Sequence, residues 1–327
     1  MRRRVLLLLS VLVMAVVWGL SSCEKMIVDD ESSSSTEQNE VKGNLILKIS
    51  VAGVTPMETT RAEEADLSKF FTTLNLVVFK NGERVKNMVT QKVSDKNFGT
   101  LGMQLEPGTY QVLVVAHSSE GNPEIKSPSK VDFSNQAGFS DTFFSYSTIE
   151  VKAEAEEHAI TMKRVSSMLR FIINDEIPAD VTGFSFLYTG GSAAFDATKD
   201  GVGCEFSRQR VENDYDSSKP AVFDLYTILR KDLKGENIDI NLTVTAYRKN
   251  AASITKDIKN IPLKPNAITE VSGNFFTDSP GGDDTGGGDN TGGDDTGGGT
   301  TEPEDSISTA FKVTVLTEWA DTLRMKY

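Results

Sequence analysis

Apolar and polar residues alternate one by one over stretch after stretch of this chain, and that period of two restricts the fold more than any other feature. It is carried by Asn44–Val51 (NLILKISV), Thr73–Phe79 (TLNLVVF), Thr109–Ala116 (TYQVLVVA), Ser147–Val151, His158–Met162, Met168–Ile173, Ala221–Leu225, Ile238–Tyr247 and Ala267–Phe275. Successive side chains of a strand point to opposite faces, so alternation buries one face and wets the other. Sustained helical periodicity is scarce. The breakers Asn81-Gly82, Glu106-Pro107-Gly108, Gly190-Gly191 and Asp200-Gly201 fall between the alternating runs. The pattern predicts an all-β chain of antiparallel β-sandwiches rather than βαβ units.

A chain of 327 residues with 38% apolar composition supports two domains of this kind. In ITMKRVSSMLRFII two strand signals flank a few polar residues, which places a boundary near Arg164. The expected bodies are an N-terminal sandwich over 43–164 and a C-terminal sandwich over 165–277. Residues 278–305, DSPGGDDTGGGDNTGGDDTGGGTTEPED in context, form a low-complexity linker of Gly, Asp and Thr. Calcium-binding β-rolls also use Gly and Asp at regular spacing, but they need a large apolar residue in each unit, and this segment has none. In the final segment, 306–327, Phe311, Val313 and Val315 alternate with Lys312, Thr314 and Leu316, and Trp319 follows. This strand has no neighbour in sequence. A lone strand is unstable in water, so it must pair with an open edge of its own chain or of another molecule. A coil of the linker's length reaches about 30 Å, enough for either.

The N-terminus reads MRRRVLLLLSVLVMAVVWGLSS before Cys23: three arginines, a short apolar run and small residues. That is the layout of a secretory signal over 1–22, and Leu20-Ser21-Ser22-Cys23 resembles the bacterial lipobox, in which the cysteine thiol takes a diacylglycerol. The resemblance implies a mature chain lipidated at Cys23 and held to a membrane by acyl chains, each buried methylene contributing roughly 0.8 kcal/mol. Residues 23–42, rich in Ser and Glu, are the expected flexible tether. Glu24, Asp29, Asp30 and Glu31 resemble the acidic signal that sends Bacteroidota lipoproteins to the outer surface.

Loss of three arginines and no acids moves the formal charge from −13 to about −16. With no basic cluster outside the signal, nucleic acid is excluded as a partner. Cys204 is the only other cysteine, so no internal disulfide forms once Cys23 is acylated, and cysteine metal sites are excluded. His117 and His158 both lie in strand patterns and read as structural or surface residues. Cys204 reads as a small hydrophobe in a strand, and Asp214 and Asp216 as a polar loop. No G-x-S-x-G elbow, P-loop or G-x-G-x-x-G is present. The expectation is a non-enzymatic protein without metal or small-molecule cofactor.

One peptide reads as a substrate. Thr59-Thr60-Arg61-Ala62 follows the first strand in a polar stretch where an arginine-specific protease could cut between Arg61 and Ala62; equally, Arg61 is a solvated loop residue. Together, the lipobox, TTRAEE after the first strand, LEPGTYQVLVVAH, HAITMKRVSSMLRFIINDEIPADV and the terminal FKVTVLTEW resemble the fimbrillin-type proteins of Bacteroidales, in particular FimB-like fimbrial anchors and minor subunits. The resemblance implies two transthyretin-like sandwiches, lipoprotein export, and assembly of a type V pilus by β-strand donation between subunits. It makes Phe311, Val313, Val315 and Trp319 candidate partner-binding residues. It also implies an outer-membrane, surface-exposed anchor or minor subunit whose partners are other fimbrial subunits and the membrane. The alternative from another class is a glycan-binding surface lipoprotein of a nutrient-uptake system, which would need Tyr188, Tyr215, Tyr226 and Tyr247 to gather into an exposed platform.

Overall fold

A computed structural model of the protein describes residues 41–52, 66–134, 139–205, 208–216, 221–277 and 311–316. Cys23 and its tether, Arg61 and Ala62, the linker 278–305 and Trp319 lie outside the described residues. The first half of the chain forms β1 (Leu45–Val51), β2 (Thr73–Lys80), β3 (Glu83–Arg84), β4 (Val89–Lys92), β5 (Thr100–Met103), β6 (Gly108–His117), β7 (Glu124–Ser127), β8 (Lys130–Asp132), β9 (Thr142–Val151) and β10 (Glu156–Arg164). The second half forms β11 (Ser166–Ile173), β12 (Val181–Thr189), β13 (Ala194–Asp196), β14 (Val202–Gly203), β15 (Arg208–Asp214), β16 (Val222–Ile228), β17 (Ile240–Arg248), β18 (Ile254–Ile261), β19 (Ile268–Gly273) and β20 (Phe311–Leu316). Helix among the described residues is confined to two single 3₁₀ turns, Leu67–Lys69 and Ala197–Lys199. The chain is all-β, as the alternation requires.

In the first half one layer runs β3-β2-β6-β9, with β4 also on β2, and the other runs β10-β1-β5. They join where Lys163 and Arg164 pair with Phe144 and Phe143. Leu45, Leu47 and Ile49 of β1 face Leu74, Leu76 and Val78 of β2 and Val112 and Val114 of β6 across one core. Each side chain of this size contributes roughly 1.5–3 kcal/mol by leaving water. The expected turns are built as their residues dictate. Asn81 and Gly82 both take positive φ (54° and 82°), the pair a two-residue hairpin demands. After Pro107, Gly108 has φ 153°, and Tyr110 is buried with its hydroxyl donating to the Glu106 carbonyl at 2.9 Å.

In the second half, β16-β11-β19-β20 packs on β15-β12-β17-β18. The core is aromatic: Phe184 and Phe186 stack at 6.3 Å, and Phe171 meets Phe186 at 5.8 Å and Phe275 at 6.4 Å. Both halves set their first strand parallel beside a late one, β1 with β10 and β11 with β19.

A fourth sheet, β14-β13-β8-β7, draws strands from both halves, with Phe195 opposite Val131 and Ala194 opposite Asp132. Beneath it Val77, Phe79, Val115, Phe133, Phe144 and Phe195 form a core common to the two sandwiches. Arg164, where the sequence suggests a boundary, is a fastener: its side chain is 8% exposed, donates twice to the Asp141 carboxylate from Nε (2.9 Å) and Nη2 (3.0 Å), and reaches Asn266 from Nη1 (3.0 Å).

One buried polar network sits at the end of β6. The Ser119 N–H donates to Nδ1 of His117 at 3.2 Å, so Nε2 carries the hydrogen and donates to Asn75 Oδ1 at 2.9 Å. Asn75 in turn donates to Thr90 Oγ1 and to Asn122 Oδ1, both at 3.0 Å. Burial, and then the charge of Lys92, lower His117 from 6.5 to about 4. The unfolded chain therefore binds a proton that the folded one refuses. The stabilisation is complete above pH 6.5 and is lost as pH falls towards 4, a change of roughly 3 kcal/mol. Denaturant titrations across that window should show a shallower acid loss in His117→Gln than in the native protein; equal slopes would remove His117 as the cause.

Candidate strand-exchange site

β19 lies between β11, parallel on one side, and β20, antiparallel on the other. Its residues are drawn inward on both faces: Ile268, Thr269 and Val271 are fully buried, and the Thr269 hydroxyl donates to the Pro262 carbonyl at 2.8 Å. β20 is thus the cover of a sheet edge. Phe311, 5% exposed, sets its ring 5.4 Å from Phe171 and joins the aromatic core. Val313 stands opposite Val271 and packs half-buried on the same core. Val315, opposite Thr269, is half-buried. Leu316, from the alternate set, packs with Met168, Ile268 and Tyr226 on the other face. Sequence reasoning missed Leu316 because it counted one apolar face, whereas β20 is gripped from both.

The polypeptide leaves this sheet at a fixed point. The Asp175 carboxylate accepts from the N–H groups of Phe275 (2.8 Å), Phe276 (2.7 Å) and Thr277 (2.7 Å) and from the Thr277 hydroxyl (3.1 Å). Burial alone would raise this carboxyl, but the three backbone donors outweigh it and hold it below the usual carboxylate value. Asp175→Asn keeps the shape and removes the charge; charge-assisted bonds are roughly twice as strong as neutral ones, so a loss of about 1–2 kcal/mol in denaturant titrations is the expected result.

The register then poses a problem of length. Gly273, the last residue of β19, is the direct partner of Phe311, the first of β20. Strands with adjoining ends need a turn of about two to five residues. Here all of 274–310 intervenes.

The other sequence candidates are dispersed. His117 is fully buried in its network, and His158 sits half-buried on β10. Cys204 is exposed just after β14 rather than buried in a strand, and the partial desolvation of its thiol, aided by Glu205 and Asp196, pushes it up, away from thiolate chemistry. Asp214 ends β15. Among the described residues, no group of three or more His, Cys, Asp or Glu is placed to hold a metal ion, and no helix is long and apolar enough to cross a membrane. The tyrosines do not gather: Tyr188 is buried and donates to the Tyr226 carbonyl, Tyr215 packs edge-on to Phe184, and Tyr247 accepts from Arg210.

Stacked, mostly antiparallel sheets with one edge closed by a distant strand define a β-sandwich protein. The chain belongs to the family of unknown function DUF6562, whose model matches residues 35–291. No curated protein matches it. Among solved structures it is similar to the tip fimbrial protein Mfa3 of Porphyromonas gingivalis, C-terminally truncated, at 10% identity over 83% of this chain and 98% of that one, with a TM-score of 0.39. It is also similar to a fimbrial assembly protein of Parabacteroides distasonis, at 14% identity over 70% and 89% of the two chains and a TM-score of 0.35. A candidate adhesin of Bacteroides ovatus matches at 13% identity over 74% and 93%, with a TM-score of 0.43.

Proposed function

We propose that this protein is an outer-membrane lipoprotein, acylated at Cys23, that serves as an anchor or minor subunit of a fimbrium and joins its partner by pairing a β-strand across molecules. The observation that carries the reading is the span between Gly273 and Phe311: neighbours in the sheet, yet separated by 274–310. A connection this long is superfluous for closing a hairpin. Beyond Thr277, where Asp175 holds the chain, a coil of the length of 278–310 would reach about 30 Å, which would let β20 leave its own β19 and pair with the edge of another subunit. Main-chain hydrogen bonds then hold the partners, and Phe311, Val313 and Leu316 select the acceptor.

A paired-cysteine variant tests this. With Cys204→Ser to silence the exposed thiol, Val271→Cys and Val313→Cys place sulfurs on directly opposed residues. In cells bearing fimbriae, a β20 that lies on another subunit leaves the two sulfurs apart, so the expected product is a chain without the internal disulfide. A disulfide found only within single chains would refute donation, whereas the anchor is tested apart from it, by an acyl mass on Cys23 in the intact protein.

A further inference from the structure

The chain enters the N-terminal sandwich at Lys42, and there three cations gather on a strongly acidic protein. Lys42, Arg84 and Lys86, all exposed, line a wide cleft of about 890 Å³ between the β3–β4 segment and the end of β5. Asn87 and Gln104 add amide groups to its wall, Val85 and Val89 add apolar surface, and among the described residues no carboxylate lines it. Arg84 is braced by donating from Nε to the Lys86 carbonyl at 2.9 Å, which holds the two side chains' backbones together. Among the described residues none of the three cations forms an ion pair. Glu83, the acid next to Arg84 in sequence, stands opposite Lys80 on β2.

The place of the cleft gives the charge a meaning. Lys42 follows Cys23 by fewer than twenty residues, a coil whose reach is about 25 Å. If Cys23 carries the lipid, as proposed above, this end of the sandwich stays closest to the bilayer. We propose that the cleft binds the anionic headgroups of the membrane to which the protein is tethered, with Lys42, Arg84 and Lys86 on lipid phosphates. Each such cation near an anionic surface contributes about 1 kcal/mol, and the attraction dies within a Debye length of about 10 Å. The mature chain as a whole, with a formal charge of about −16, is repelled by the same surface. Attraction at the cleft then sets which face of the N-terminal sandwich meets the membrane.

The test uses the lipidated protein reconstituted into vesicles of phosphatidylcholine, with or without phosphatidylglycerol. Brief lysine acylation by a membrane-impermeant reagent, read by mass spectrometry, compares Lys42 and Lys86 with the exposed Lys234 and Lys259 of the C-terminal half. The expected result is that Lys42 and Lys86 slow by roughly fivefold in the anionic vesicles alone, that high salt removes the protection, and that the two control lysines do not change. Equal rates in both vesicles, or equal protection in both, overturn the proposal. Protection by an added acidic polysaccharide on neutral vesicles, without protection on anionic ones, overturns it in favour of a glycan ligand. The intact mass of the same preparation reads the anchor independently: an unmodified Cys23 removes the tether, while unprotected lysines on an acylated chain remove the headgroup site alone.

Discussion

Phe311→Ala releases β20 from its sheet. The ring is 5% exposed and in contact with Phe171, and truncating a buried phenylalanine costs about 3–5 kcal/mol through lost transfer energy and the cavity left behind. In the middle of a domain that loss would be felt by the whole fold. Here it falls on six residues joined to the rest only through 274–310, so the local exit of β20 caps the damage. Amide exchange of the β19 residues that bond to β20 should accelerate by about a thousandfold, while β12 and β17 remain protected. Val315→Ala, at a half-buried site, should change exchange by less than about tenfold. If Phe311→Ala leaves β19 protected, the ring does not hold the strand, and the exchange site loses its anchor.

Phe195→Ala uncouples the two sandwiches. Phe195 is fully buried in the shared layer, its ring 5.0 Å from Phe144 and its backbone paired with Val131. The same cavity arithmetic gives about 3–5 kcal/mol, but the consequence differs because the layer is common property. Calorimetry of the native protein should show one transition for both sandwiches, and the variant should show two. Arg164→Ala should act in the same direction, since removing one partner of a buried pair strands the Asp141 carboxylate, at a cost of about 3–5 kcal/mol. A single transition in both variants would mean that coupling lies elsewhere.

Strands that alternate over six or more residues were legible in the sequence, because there the pleat and the burial of one face leave the same mark. β1 and β17 carry that mark; β2, β6, β11 and β19 are buried largely on both faces and were read from their Val, Ile, Leu and Phe content, and the turns at Asn81-Gly82 and Pro107-Gly108 follow from backbone angles those residues favour. The fourth sheet was not legible. Its strands are two to four residues long, too short to display a period, and they pair only because the chain brings distant segments together. β12 was not read: Gly183 interrupts its run, and Phe184, Ser185, Phe186 and Tyr188 are buried on both faces. For the exchange site, the strand was visible and its seat was not, since neither the Gly273–Phe311 register nor the Asp175 grip on residues 275–277 leaves a local pattern.

The halves repeat one plan, yet only one of them is finished along its late strand. β19 wears β20 as a sleeve, whereas β10, its counterpart, is met by β9 only at Lys163 and Arg164. From Glu156 to Met162 the far margin of β10 has no strand beside it among the described residues, and Glu156 and Glu157 at its start discourage casual company. A single polypeptide thus holds one clothed flank and one bare flank of the same cut, and a ribbon tailored to the first has a second place to lie.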